Sequence, residues 1–278
     1  MDVTEEGGAL GYTAYANLDF ARSVVRHFVA LVGFERDDLA ILDIGSGTGD
    51  SARAILETLS SLDHWKGVVS LLEPDTESLR IAENNLAGQP VLTHRGSAEN
   101  CFSFSEQSFD VSIWSNGIHY LESQASLMTA LRAIRHATRR KFVAWSTFFK
   151  EAYCGKTTRF AGLWVAKAYE LLGVNRTERV RSNNLQVRGQ ADYEAAFREA
   201  GFSRVRSALQ IFELGPEVYR GIAMFQDYAE RALPAMPGRP DLTIEKRSRA
   251  LVEAVEPIYH LLGASTLPRY WLYMEAEP

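Results

Sequence analysis

Cysteine is nearly missing from this chain of 278 residues: Cys101 and Cys154 are the only two, far apart and without paired Cys/His spacing. Neither a disulfide scaffold nor a structural zinc module can be built from them, so a reducing compartment is expected and no metal is. Long apolar runs are also lacking. The densest, Phe28 to Phe34, lasts one helical segment and meets Glu35 and Arg36, well short of the ~18 residues of a membrane span. The opening Met-Asp-Val-Thr-Glu-Glu-Gly-Gly shows no basic-then-apolar leader pattern, and a cytoplasmic location is expected. No repeat and no low-complexity tract interrupts the chain. With 46% hydrophobic and 23% charged residues, the composition is that of one folded globular domain spanning residues 1–278.

Positive charge is in short supply overall, with 30 Lys and Arg against 35 acids and a net charge of −5. Global attraction to nucleic acid is therefore not expected. The distribution is uneven, however. Residues 132–188 hold thirteen Lys and Arg against Glu151, Glu170 and Glu178, so this stretch carries +10.

Hydrophobic spacing predicts a first helix over about Phe20–Val32, with Gly33 as its stop, inside N-terminal cap helices covering 1–36. Ala40-Ile41-Leu42-Asp43-Ile44 is a strand, Gly45-Ser46-Gly47-Thr48-Gly49-Asp50 a glycine turn, and Ala52–Leu59 a helix. The same grammar repeats through strands at 68–72, 91–95, 110–114 and 141–146, with helices at 76–86 and 126–137. Alternating units of this kind predict a doubly wound, mostly parallel sheet. The rhythm then breaks at two expected helical insertions, a lid at 148–190 and a second at 215–268, the latter divided by Pro234, Pro237 and Pro240. Between them lie a helix with Asp192 as a candidate N-cap and a strand at 203–214; a last strand follows at 269–275.

The glycine turn lacks the Gly-Lys-Ser/Thr ending of a phosphate loop, and the third glycine of the dinucleotide fingerprint is displaced. From Gly45 to Ala52 it contains no Lys or Arg, while Asp50 lies within it and Asp43 just before it. Such a turn suits a cationic ligand, and S-adenosylmethionine is one: its sulfonium is positive, and its carboxylate can meet free N–H groups at a helix start. An acid closing the second strand can take both ribose hydroxyls, and Glu73 stands there, 28 residues after Gly45.

Together, Ile41 to Gly49 followed by Leu72-Glu73-Pro74-Asp75 resembles the class I S-adenosylmethionine-dependent methyltransferases, in particular the small-molecule branch that includes the ubiquinone and menaquinone C-methyltransferases. Gly96-Ser97-Ala98-Glu99 is similar to that family's adenine turn, and Ser108 to Leu121 to its strand-four motif. The resemblance covers 43–147 well and 193–214 loosely. It implies a Rossmann-like fold with a seven-stranded sheet in the order 3-2-1-4-5-7-6. It further implies cofactor contacts from Tyr15, Asp43, Gly45, Ser46, Gly47, Glu73, Pro74, Ser97, Ala98, Glu99, Ser115 and Asn116, with S-adenosylhomocysteine as product. Tyr12, like Tyr15, precedes the first helix and could fold over the cofactor. Two departures stand out. Ser97 replaces the usual aspartate of the adenine turn, and Ala137-Thr138-Arg139-Arg140-Lys141 replaces a Pro-Gly-Gly turn.

Methyl transfer from sulfonium releases a neutral thioether, so alignment in a dry pocket matters more than acid assistance. Where the acceptor must lose a proton, His119 beyond strand four is the candidate base; its neighbour Tyr120 is expected in the core. Aromatic residues of the first insertion, Tyr153 and Trp164 among them, suit an apolar or planar acceptor. Arg176, Arg179, Arg181 and Arg188 are nearly unbalanced by acids; Arg181 is the candidate for holding an acceptor carboxylate or phosphate. The resulting expectation is a monomeric or homodimeric methyltransferase acting on O, N or C of a small metabolite. Two other readings stand beside it: an RNA methyltransferase gripping through 132–188, although no Pro-Pro-Tyr/Phe sequence follows strand four, and a cofactor-binding protein that transfers no methyl.

Overall fold

The computed structural model describes residues 15, 18–34, 39–60, 65–121, 123–180 and 187–278. Helix α1 (Asp19–Val32) leads into β1 (Ile41–Ile44), α2 (Asp50–Ser60), β2 (Val69–Glu73), α3 (Thr76–Asn85), β3 (Val91–Arg95), β4 (Phe109–Ser115), α4 (Gln124–Ala137) and β5 (Thr138–Ser146). There follow α5 (Lys156–Leu171), α6 (Gln190–Glu199), β6 (Ser203–Leu214), α7 (Pro216–Ala223), α8 (Gln226–Ala232), α9 (Ile244–Leu262) and β7 (Leu267–Glu277). The seven strands order as β3-β2-β1-β4-β5-β7-β6, the order expected from the resemblance. Strands β1 to β5 run parallel, and β7 runs antiparallel to β5. Every residue of β1 and β2 is buried, as a central parallel strand requires when both faces are covered. Among the described residues no helix is long and apolar enough to cross a membrane.

The chain forms two compact units. The sheet unit comprises Arg22–Ala152, Gln186–Gln210 and Trp271–Pro278; the helical unit comprises Met1–Ala21, Tyr153–Leu185 and Ile211–Tyr270. In the sheet unit the α1 side chain of Phe28 lies flat against Trp145 and Tyr273, at centroid distances of 5.2 and 6.0 Å. Gly33 ends α1 in the left-handed region at φ 65°, and the Lys141 Nζ donates to the Val32 carbonyl (2.9 Å), satisfying an otherwise open helix end. Where the family has a Pro-Gly-Gly turn, α4 passes directly into β5, and the Thr138 hydroxyl donates back to the Ile134 carbonyl (2.6 Å).

The helical unit is held by rings. Trp164 is 1% exposed, stacks on Phe160 and Tyr228 at 5.4 and 5.5 Å, and donates its indole N–H to the Leu251 carbonyl (2.7 Å). The prolines 234, 237 and 240 fall between α8 and α9.

Two expectations need correction. Asp192 is not the N-cap of α6: Gly189 takes that place, and Asp192 at the third helical position accepts the Gly189 N–H (2.8 Å), an arrangement that satisfies a free donor from inside the helix. Tyr120 is not core but 39% exposed, because it ends a 3-10 turn at Ile118–Tyr120 that buries only its first two residues.

Candidate active site

The parallel register pairs Ile44 with both Leu72 and Trp114, so the residues that follow β1, β2 and β4 emerge along one edge of the sheet. Gly45, Gly47 and Gly49 adopt φ of 60°, 52° and 92°, a left-handed region costly for other residues. At Gly45 close approach adds a second reason, since a Cβ there would stand 3.2 Å from the Trp114 indole nitrogen. Gly117 meets the same indole, and a Cβ there would fall 2.1 Å from that nitrogen. The Trp114 indole is thus approached closely by two glycines, one after β1 and one after β4. Among the described residues, no atom beyond its two chain neighbours lies within 4 Å of a Cβ built on Gly47, which leaves space over the middle of the turn.

Glu73 closes β2 with its carboxylate turned onto the turn. Oε2 accepts the Gly47 N–H (2.8 Å) and Oε1 accepts the Asp75 N–H (3.0 Å). Burial raises its pKa, and those two donors oppose the rise. Each carboxylate oxygen keeps a further lone pair for an incoming hydroxyl. Asp43 is fully buried, with Oδ2 accepting from the Ser51 hydroxyl (2.6 Å) and Oδ1 without a partner. Its carboxyl is pushed up to about 7, first by burial and then by the neighbouring Glu73 charge, against the Ser51 and Ala52 donors. The Ser46 hydroxyl is likewise buried and unpartnered. Such orphaned buried atoms are rare and point to a missing ligand or water.

Beyond β3, Ser97 opens a 3-10 segment over Ala98–Ser103 in which the Asn100 Oδ1 accepts from both its N–H and its hydroxyl. Ala98 is buried, Glu99 half-buried and Pro74 exposed. Ser115 and Asn116 are half-buried at the end of β4. Asn116 has φ 51°; its N–H donates to the Trp145 carbonyl and its Oδ1 accepts the Thr147 N–H, both at 2.9 Å. Its side chain therefore clamps the ends of β4 and β5 together. His119, 9% exposed, shares a hydrogen bond between Nδ1 and the Ser146 hydroxyl (3.1 Å), and its ring lies 5.6 Å from that of Phe148.

Asp43, Gly45, Ser46, Gly47, Glu73, Pro74, Ser97, Ala98, Glu99, Ser115, Asn116 and His119 all belong to the sheet unit, whereas Tyr15, Tyr153 and Trp164 belong to the helical unit. There Trp164 is packing core, and Tyr153 lies under the Arg269 guanidinium at 4.7 Å from its ring centroid. Burial pushes the Tyr15 hydroxyl up to about 12. Tyr12 and Arg181 lie outside the described residues. The cations of 132–188 do not act as one group: Arg139 pairs with Asp110, Lys150 with Asp192 and Lys167 with Glu170, and Arg188 is buried. Sequence reasoning missed Ser146 as the partner of His119 and Gly117 as the seat of Trp114. A serine ending an apolar strand, and a glycine just beyond another, were the only local signals.

Residues 41–141 match the family described as a methyltransferase domain. None of the curated proteins matches the chain in sequence. Among solved structures, it is similar to a protein assigned as a methyltransferase from an antibiotic biosynthesis pathway in Anabaena variabilis, at 17% identity and TM-score 0.60, covering 90% of this chain and 96% of that one. It is also similar to Haemonchus contortus phosphoethanolamine N-methyltransferase 2, solved with phosphomonomethylethanolamine and S-adenosylhomocysteine, at 13% identity and TM-score 0.56, over 97% of this chain. This chain spans only 56% of that protein's length. A third, the cyclase SpnF, matches at 14% identity and TM-score 0.52, over 92% of this chain and 81% of its own. At such identities the likeness is one of fold, and it does not single out the quinone-methylating branch. Residues 41–141 thus match a methyltransferase domain, and the sheet has the fold of the class I S-adenosylmethionine-dependent methyltransferases.

Proposed function

We propose that the protein transfers a methyl group from S-adenosylmethionine to O, N or C of a small, largely apolar or aromatic acceptor in the specialised metabolism of the cytoplasm, as a monomer or homodimer and without a metal. One observation carries this reading: the Glu73 carboxylate, at the end of β2, is held beside an open glycine turn by the Gly47 and Asp75 N–H groups. A carboxylate so fixed is pre-set to receive two vicinal hydroxyls of a ribose. The unpartnered Asp43 Oδ1 and Ser46 hydroxyl, with the space over Gly47, suit a ligand bearing both cationic and hydrogen-bonding groups. When bound, the cofactor supplies an electrophilic methyl on a positively charged sulfur. The chain's own contribution is alignment and exclusion of water, with His119 held by Ser146 in position to take an acceptor proton. Ser97, Ala98 and Glu99 serve the base in the same reading.

Calorimetry tests it: S-adenosylhomocysteine binds wild-type protein, and a panel of small acceptors yields a methylated product with S-adenosylmethionine. Absence of binding in folded protein would refute the reading. The likeness to SpnF, a cyclase, favours one second reading, a protein that binds the cofactor and transfers no methyl. Retention of S-adenosylhomocysteine without consumption of S-adenosylmethionine by any acceptor would select it.

A further inference from the structure

Arg188 lies in the sheet unit, ahead of α6, and is 3% exposed. Its surroundings are tightly defined. The Nη1 donates to the Leu121 carbonyl (2.7 Å), and the Lys150 N–H donates to the Arg188 carbonyl (3.0 Å). Glu151 then accepts the Gln190 N–H (3.1 Å). Leu121 follows β4, and Lys150 and Glu151 follow β5, so Arg188 is seated on the edge of the sheet at which Glu73, Asn116 and His119 also emerge. Leu121 is two residues beyond His119.

The guanidinium is not satisfied there. Nε and Nη2 are both buried and have no hydrogen-bond partner. The Tyr193 hydroxyl interacts with the guanidinium and Asp192 attracts it through space, while Asp192 Oδ2 is bonded to the Gly189 N–H and the Lys150 ammonium. A buried cation with idle donors is costly and persists where something completes it. The idle pair is informative. Nε–H and one N–H of Nη2 point the same way along one edge of the planar group, the fork that matches two oxygens of a single anion.

We propose that Arg188 is the acceptor's anchor: its Nε/Nη2 edge takes a two-oxygen anion, a carboxylate or one face of a phosphate, carried by the molecule to be methylated. This rests on the methyltransferase reading above and goes beyond it by naming the acceptor's charge and the residue that selects it. Arg188, not the exposed cations of 132–188, then discriminates acids from their neutral analogues, because removal of the anion leaves the donors buried and unmet.

The test is a titration of the full chain, with and without saturating S-adenosylhomocysteine, using benzoate and inorganic phosphate as probes and heat and thermal midpoint as readouts. Saturable binding of one probe is expected, and which one separates the carboxylate from the phosphate source. R188Q should weaken that binding by at least about ten-fold. R188K, which keeps the charge but not the fork and is the milder change for folding, should weaken it nearly as much. Affinity unchanged in R188K and R188Q, or no saturable binding of either probe, would overturn the proposal. Failure of S-adenosylhomocysteine to bind would instead refute the methyltransferase reading, and the anion result would stand on its own.

Discussion

Two regions of the molecule bury polar atoms differently: the rings around Trp164, and the edge of the sheet beyond β1, β2 and β4. In the helical unit the Trp164 indole N–H is given to Leu251 and the Tyr259 hydroxyl to the Leu214 carbonyl (2.7 Å), while the Tyr219 hydroxyl, Arg179 Nε and Arg247 Nε are buried without a hydrogen-bond partner among the described residues. In the sheet unit, at the edge beyond β1, β2 and β4, buried polar atoms are left with capacity: Asp43 Oδ1, the Ser46 hydroxyl and two nitrogens of Arg188. Packing explains the Trp164 and Tyr259 bonds. The sheet-edge arrangement is costly by itself, and such cost concentrates where a ligand later offsets it. At the sheet edge the orphaned atoms of Asp43 and Ser46 border the glycine turn, which is why the proposed chemistry is assigned to the loops of the sheet.

Trp164→Ala should break this contrast if it is wrong, and carries the largest expected effect. Truncating a buried tryptophan removes about 3–5 kcal/mol of stability, read as a large fall in thermal midpoint, while affinity for S-adenosylhomocysteine below the transition stays within about two-fold. A selective loss of ligand affinity with unchanged stability would move Trp164 from core to site. Glu73→Ala is the converse. It leaves the Gly47 and Asp75 N–H groups without their carboxylate and removes the ribose acceptor, so S-adenosylhomocysteine affinity should fall by roughly 2–4 kcal/mol, on the order of a hundred-fold. Unchanged affinity would dismiss the assignment of Glu73.

How legible this was in the sequence depended on distance along the backbone. Glu73 and the glycine turn could be placed because a strand, a turn and a helix follow one another locally; that grammar gave a doubly wound sheet, and the strand order came only with the family resemblance. Asn116 stood in a recognisable motif, yet its side chain is taken up by the Thr147 N–H, a contact that exists only once β4 and β5 pair. Arg188 was grouped with Arg176, Arg179 and Arg181 as one basic run; its bond to Leu121, across 67 positions, separates it from them. Trp164 was given to the acceptor on aromatic density alone, and density does not distinguish a ring that lines a pocket from one that fills a core.

His119→Ala sharpens the sheet unit's side of the comparison. With the Ser146 partner kept, turnover should drop by about a hundred-fold if the imidazole takes the acceptor proton, and S-adenosylhomocysteine affinity should hold. Parallel losses in both would make His119 a structural residue.

The smallest effect concerns Asp43 and is read without any acceptor. Its folded carboxyl stands at about 7, against an ordinary value of 3.8, chiefly through burial. Since the folded state holds this proton more tightly than the unfolded one, stability associated with Asp43 is complete below pH 3.8 and declines as pH rises through about 7. Between pH 6 and 8 the decline should be about 1 kcal/mol. Asp43→Asn cannot titrate, yet its amide oxygen still accepts from Ser51, so the difference in unfolding free energy between wild type and variant should shift by that amount over the same interval. Glu73 is displaced in the same direction and contributes to both proteins alike, which is why the difference, not the wild-type curve, is the measurement. A flat difference would mean that Asp43 is solvated or already ionised in the fold. Its unpartnered oxygen would then no longer count among the costs that a bound cation offsets.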